Sequence, residues 1–326
     1  MRRRDFITLL GGAAAWPFAA GAQQATMPVI GYLSSFPADI NPKFTQAFRQ
    51  GLNDAGFFEG RNVAIEYRWD EEGRYDRLPT MAADLLKRRV AVLFASPIPA
   101  ALAAKAATTT IPIVFAIGSD LVETGLVVSL NRPGGNATGV YILTTEVEAK
   151  RLSLLRDLVP SSAMFGVLVN PKYPRAAQQA QELAEAARKV GQSLVFANAS
   201  TDAELDAAFA TLTRQHVMAM LVMGDPFFDT RRDRIVAFAA QQKLPAIHEF
   251  REYTVAGGLM SYGPSFPEAY HQVGIYAARI LNGAKPADLP VVQSDKFEFV
   301  INLKVAKTLG VTFSGNLLSL ADGVIE

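Results

Sequence analysis

The 326-residue sequence carries 32 Lys and Arg against 31 Asp and Glu, a formal net charge of +1, and no cysteine. That excludes thiol catalysis, a Cys-containing zinc site and disulfides, and a chain this long buries enough apolar surface to fold without cross-links. Arg231, Arg232 and Arg234 form a tight basic run diluted by Asp229 and Asp233, which argues against a nucleic-acid partner.

The N-terminus reads Arg2-Arg3-Arg4-Asp5-Phe6-Ile7, then an apolar run over 9–20, then Ala20-Gly21-Ala22-Gln23. A charged start, a short apolar segment and a small-x-small end predict a cleavable twin-arginine export signal over 1–22. The run is short of the roughly 20 apolar residues that a membrane-crossing helix needs. Cleavage after Ala22 would place the mature chain in a periplasm, with the twin-arginine export machinery as a transient partner. With no cysteine at the junction, a lipid anchor is not expected.

From Pro28 onward, β-rich runs alternate with amphipathic stretches. Residues 29–33 predict a buried strand. Phe44, Ala47, Phe48 and Leu52 recur at helical spacing, with Gly56 where a helix C-cap wants it. Residues 62–67 read as a strand, and Leu78, Met81, Ala82, Leu85 and Leu86 as a helix face. Two β-branched runs, 90–95 and 113–117, enclose an alanine-rich helix at 99–107. Strands apolar on both faces, alternating with helices, imply a parallel sheet covered on both sides.

After the turn-forming stretch Asn131-Arg132-Pro133-Gly134-Gly135-Asn136, the alternation restarts. Helices are expected at 150–158, 175–190, 202–215, 230–243, 267–281 and 303–309. Strands are expected at 165–169, 194–197, 217–223, 245–248, 259–262 and 297–301. The fold class is therefore α/β, with two Rossmann-like lobes, parallel sheets flanked by helices, and a ligand cleft between them. The expected partition is 27–142 plus 258–286 for the first lobe and 143–257 plus 287–326 for the second. Thr144, Gly257 and Gly258 are the expected hinge residues, and the 286–292 segment is a third crossing.

The chemistry lies at the strand ends. His216, His248 and His271 are scattered, none at metal-ligand spacing, and no nucleophile elbow or phosphate loop is present. Neither a cofactor nor a metal is expected. Small polar groups recur just after the strands: Ser34 and Ser35, Ser96, then Ser119 with Asp120, and in the second half Asn170, Asp225 and Glu249. Hydroxyls and free amides at helix starts suit a carboxylate, an acid such as Asp225 suits an ammonium, and Phe36 and Phe227 could line an apolar pocket. Each residue alone is more readily a cap, a turn or a packing residue, and the repetition in both halves carries the reading. An enzyme using Asp120, Asp225 or Glu249 as acid and base is the competing reading, and a ligand sensor the third.

Laid end to end, Ile30-Gly31-Tyr32-Leu33-Ser34, Gly60-Arg61-Asn62-Val63-Ala64-Ile65-Glu66-Tyr67, Thr110-Ile111-Pro112-Ile113-Val114-Phe115, the 131–136 turn, Ala256-Gly257-Gly258-Leu259 and Ile301-Asn302-Leu303 carry a resemblance. The chain resembles the periplasmic substrate-binding proteins of ABC transporters with the type I fold, in the branch that includes tryptophan- and tyrosine-binding members. The resemblance implies no enzyme. It implies capture of a small carboxylate-bearing solute, foremost an aromatic or branched amino acid, by lobe closure. It also implies delivery to an ABC permease and its ATPase subunit, by a monomer or weak dimer. The family scheme would place the solute's carboxylate on the first-lobe loops and its ammonium near Asp225. Where the family usually has a proline after the fourth-strand aspartate, this chain has Leu121.

Overall fold

The computed structural model describes residues 27–38, 42–118, 120–142, 147–159 and 163–326, so the expected signal segment, Ser119 and Thr144 lie outside the described residues. The first half builds β1 (Val29–Ser34), α1 (Pro42–Asp54), β2 (Ala64–Trp69), α2 (Leu78–Lys87), β3 (Val92–Ser96), α3 (Ile98–Ala107), β4 (Ile113–Ile117) and β5 (Ala137–Ile142). Next come α4 (Val147–Arg156), β6 (Phe165–Val169), α5 (Ala176–Lys189), β7 (Leu194–Asn198), α6 (Asp202–Arg214), β8 (Ala219–Val222), α7 (Pro226–Asp229) and α8 (Arg232–Gln241). The chain continues through β9 (Ala246–His248), α9 (Arg251–Val255), β10 (Met260–Pro264), α10 (Phe266–Leu281), β11 (Val292–Ser294), β12 (Phe297–Asn302), α11 (Leu303–Leu309), α12 (Gly315–Leu320) and β13 (Gly323–Ile325).

These strands form two sheets, ordered β11-β5-β4-β3-β1-β2 and β13-β12-β10-β9-β8-β6-β7. The first is parallel throughout, and in the second β10 and β12 run antiparallel. The burial explains the order. Every residue of β3 and β4 is buried, as a central strand covered on both faces requires, whereas edge strand β2 is half-buried along its length. In each sheet the strand order reverses once in the chain's progress, between β1 and β3 and between β6 and β8. The loops after those strands diverge and leave a crevice at their carboxyl ends, which is where open α/β sheets take ligands.

Helix α1 presents Phe44, Phe48 and Leu52 to the core and packs on α10 with the backbones in contact. A Cβ on Gly51 would lie 1.9 Å from the carbonyl oxygen of His271, and one on Gly274 would lie 2.2 Å from that of Phe48. Phe48 stacks on Phe94 at 5.1 Å, and both are fully buried. Side chains of this size contribute about 1.5–3 kcal/mol each on full burial.

The sheets correct the expected partition. β10 pairs with β9 and β12 in the second sheet, while β11 pairs with β5 in the first. The later crossings therefore fall between β10 and α10 and between β11 and β12, not at 257–258 or 286–292. There the Ser265 amide donates to the Lys296 carbonyl at 2.8 Å, and Lys296 pairs with Glu268 at 2.7 Å. Gly257 and Gly258 instead make the turn from α9 into β10, both elements of the second lobe, so they are not a hinge. Gly257 is there because its φ of +103° is costly for any residue with a Cβ. β5 is a strand directly after the 131–136 turn, where no strand was expected; Gly139 lets it press on β4, for a Cβ there would meet the Phe115 carbonyl at 2.1 Å.

Candidate functional site

The crevices of the two sheets face each other across one cleft. Phe36, Pro97, Ile117, Gly118 and Phe266 line it from the first lobe. From the second come the polar groups, among them Glu148, Arg151, Tyr173, Arg175, Asp225 and Glu249, with Phe250. The enclosed room left in it is small, about 40 Å³. Phe36, Phe250 and Phe266 meet edge to face at 5.2–6.2 Å and form an aromatic wall shared between the lobes.

The lobes touch. The Tyr75 hydroxyl of the first lobe donates to Oδ2 of Asp225 at 2.5 Å, and Nη1 of Arg231 donates to the Glu72 carbonyl at 2.6 Å. Nη1 of Arg175 donates to the Gly118 carbonyl. Gly73 lies so near α7 that a Cβ on it would stand 2.7 Å from the Cα of Phe227. This is a closed conformation.

Asp225 and Asn170 follow β8 and β6 and so flank the second sheet's reversal point. Asp225 caps α7, its Oδ1 accepting from the amides of Phe227 at 2.9 Å and Phe228 at 3.3 Å. Nδ2 of Asn170 reaches both carboxylate oxygens, at 3.1 and 3.2 Å. Asn170 is itself oriented, its Oδ1 accepting from Ser200 Oγ at 2.7 Å and from the Lys172 amide at 3.0 Å. Burial pushes the Asp225 carboxyl up to about 6, against the lowering pull of these donors. Burial also raises Glu148, Asp229 and Glu249, with Arg151 and Arg175 opposing the rise at Glu148 and Glu249.

The remaining expected residues divide. Phe36 and Glu249 line the cleft. Ser34 closes a local turn, its Oγ accepting from the Phe36 amide at 3.0 Å. Ser96 Oγ donates to the Ala116 carbonyl at 2.6 Å and accepts from Tyr270 at 2.9 Å, so it braces the first lobe internally. Ser35 is fully buried, and its Oγ has no hydrogen-bond partner among the described residues. Asp120 is exposed and caps a turn through the amides of Val122 and Glu123, both at 2.9 Å, away from the cleft lining. The Phe227 ring turns away to stack under the Arg231 guanidinium at 4.6 Å. His248 is fully buried against Tyr253, ring centroids 4.3 Å apart, and burial pushes it down to about 3, so it is neutral.

The sequence reading missed both arginines. Arg151 is 1 % exposed on α4, 3.4 Å from Oε2 of Glu148, with Nη1 donating to the Val222 carbonyl at 3.2 Å. The Glu148–Arg151 spacing of three was legible as a helical pair. Its burial was not, because Leu152, Leu154 and Leu155 leave no clean polar face on that helix. Arg175 and Tyr173 sit in the same loop as Asn170, between β6 and α5, but beyond the residue next to the strand that the strand-end pattern singles out. Among the described residues no group of three or more His, Cys, Asp or Glu could hold a metal, and no helix is long and apolar enough to cross a membrane.

The family model described as ABC transporter substrate binding protein matches residues 38–325. A tyrosine-binding protein of Clostridioides difficile (strain R20291) is 27% identical over 268 residues, 82% of this chain and 76% of that one. The fold matches a complex with L-Trp from Streptococcus pneumonia at TM-score 0.81 and 26% identity, over 91% of this chain and 99% of the other. A ligand-free, open substrate binding protein with adhesive properties from Clostridium difficile matches over the same shares at 25% identity but a TM-score of only 0.63. The difference fits the interlobe contacts seen here.

Proposed function

The chain belongs to the ABC transporter substrate-binding protein family, and on that footing we propose that it captures an aromatic amino acid by lobe closure and delivers it to a membrane permease with its ATPase subunit. The observation that carries this reading is the composition of the cleft. An aromatic wall of Phe36, Phe250 and Phe266 stands beside groups of both signs, the buried Glu148, Asp225 and Arg151 and the half-buried Glu249 and Arg175. Such a pocket suits a zwitterion with an apolar ring: the rings hold the side chain, and each charged end meets its opposite in a low-dielectric site. The names of the relatives, tyrosine-binding and L-Trp-bound, support the same class. Export by a twin-arginine signal and residence in a periplasm complete the proposal.

Closure supplies the mechanism. A solute that touches both lobes binds the closed form better than the open one, so it shifts the equilibrium by its differential affinity. The experiment is thermal melting of the chain from Gln23 onward against amino acids, aromatic acids and sugars. A solute at 1,000 times its dissociation constant adds about 4.1 kcal/mol of stability. The reading expects the largest shift with L-tryptophan or L-tyrosine, recovered unchanged. A sugar or a non-aromatic acid giving the largest shift refutes the solute class, and conversion of any compound refutes the non-enzymatic reading.

A further inference from the structure

The cleft holds two acids at strand ends, and they are not equivalent. An ionised carboxylate offers about four lone-pair positions. Those of Asp225 are taken by the Phe227 and Phe228 amides, Asn170 and the Tyr75 hydroxyl. Nothing is left there for a solute's ammonium unless the interlobe bond is given up, and that bond belongs to the closed form.

Glu249 is built in the opposite way. It follows β9, its carboxyl lines the cleft, and it forms no hydrogen bond or ion pair among the described residues. Its place is nevertheless defined. A Cβ on Gly224 would fall 1.5 Å from its Oε2, and a Cβ on Gly263 would fall 2.9 Å from its Cγ. The side chain therefore lies in a notch that two glycines leave open, one after β8 and one within β10. A half-buried acid whose acceptor positions are unspent, with Arg151 and Arg175 acting on it only through space, costs free energy unless something binds it. The same cavity is lined by Arg151, whose Nε is buried without a partner among the described residues.

Resting on the amino-acid reading, we propose that Glu249 receives the ammonium group of the solute, while Asp225 positions Tyr75 and holds the lobes together. Specificity for an amino acid over the same acid lacking its amino group then resides in Glu249. Asp225 acts on every solute alike.

The test is calorimetric titration of the wild-type chain, Glu249→Gln and Asp225→Asn with two probes, L-tryptophan and indole-3-propionate, which differ by the amino group. Truncating one partner of a buried charge pair costs at least about 2 kcal/mol, so the wild type should prefer L-tryptophan by about 30-fold or more. Glu249→Gln should bring the two affinities within about threefold of each other, chiefly by weakening L-tryptophan. Asp225→Asn should weaken both probes by a common factor and keep the preference. Should Glu249→Gln lose its unliganded melting transition, Glu249→Asp, which keeps the charge one methylene short, should show an intermediate preference. A preference that survives Glu249→Gln, or collapses in Asp225→Asn, overturns the assignment and leaves the amino-acid reading standing. A wild-type chain that binds neither probe, or both equally, overturns the assignment together with the aromatic amino-acid reading.

Discussion

Tyr75→Phe removes one oxygen from the interface between the lobes and little else. The ring keeps its place 6.4 Å from that of Tyr173, while the 2.5 Å donation to Oδ2 of Asp225 is lost. A hydrogen bond to a charged acceptor contributes about 1.5–3 kcal/mol. Asp225 keeps Asn170 and the amides of Phe227 and Phe228, so it is not stranded, and the lower end of that range applies. About 1.5 kcal/mol is about a tenfold shift of the open–closed equilibrium toward open. The apparent affinity falls by the same factor wherever the closed form is the minor one without solute. Titration with the solute that gives the largest melting shift measures the affinity, and small-angle scattering measures the contraction. A variant that binds within twofold of wild type and contracts at the same solute concentration would show that the bond does not contribute to closure.

Other substitutions probe neighbouring contacts. Gly73→Val should block closure by more than Tyr75→Phe does. Its side chain would run into the Phe227 backbone, and its φ of +66° is costly for a β-branched residue; a normal scattering contraction would contradict this. Gly51→Ala should destabilise the first lobe without touching the cleft, because α1 must move off the His271 carbonyl, and an unchanged denaturation midpoint would refute the tight α1–α10 contact. Arg151→Leu should cost about 3–5 kcal/mol by leaving Glu148 buried and uncompensated, and adding Glu148→Gln should recover part of it; additive losses would show the two are not coupled.

The pH dependence has a definite sign. A carboxyl raised from 3.8 to about 6 in the folded form adds stability below pH 3.8, and that stability is lost as pH rises through about 6. Removing the titration with Asp225→Asn should move the stability gap between the two proteins in the variant's favour from pH 4 to pH 7, by up to about 3 kcal/mol. Parallel denaturation profiles over that window would contradict the burial of Asp225. His248, depressed to about 3, acts in the opposite sense, adding stability above pH 6.5 that is lost as pH falls through about 3.

Periodicity alone determined most of this protein's architecture. Short β-branched apolar runs such as 113–117, fully buried as β4, read as central strands by their length and composition, and Phe44, Phe48 and Leu52 read as one helix face. The strand-end positions of Asn170, Asp225 and Glu249 follow from that alternation, because polar residues after buried strands have to sit at the sheet's carboxyl edge. What the linear pattern cannot carry is long-range pairing. β10 looks the same in sequence whichever sheet it joins, and only its ladder with β9 and β12 sets the lobe boundary. The roles of the acids are of the same kind. Asp225 and Glu249 read alike as strand-end carboxylates, and only the fold brings Tyr75 across from 150 residues away to occupy one of them. The fold likewise sets Gly224 and Gly263 around the other. Local spacing records which residues share a face, whereas hydrogen-bond occupancy and burial depend on neighbours distant in sequence.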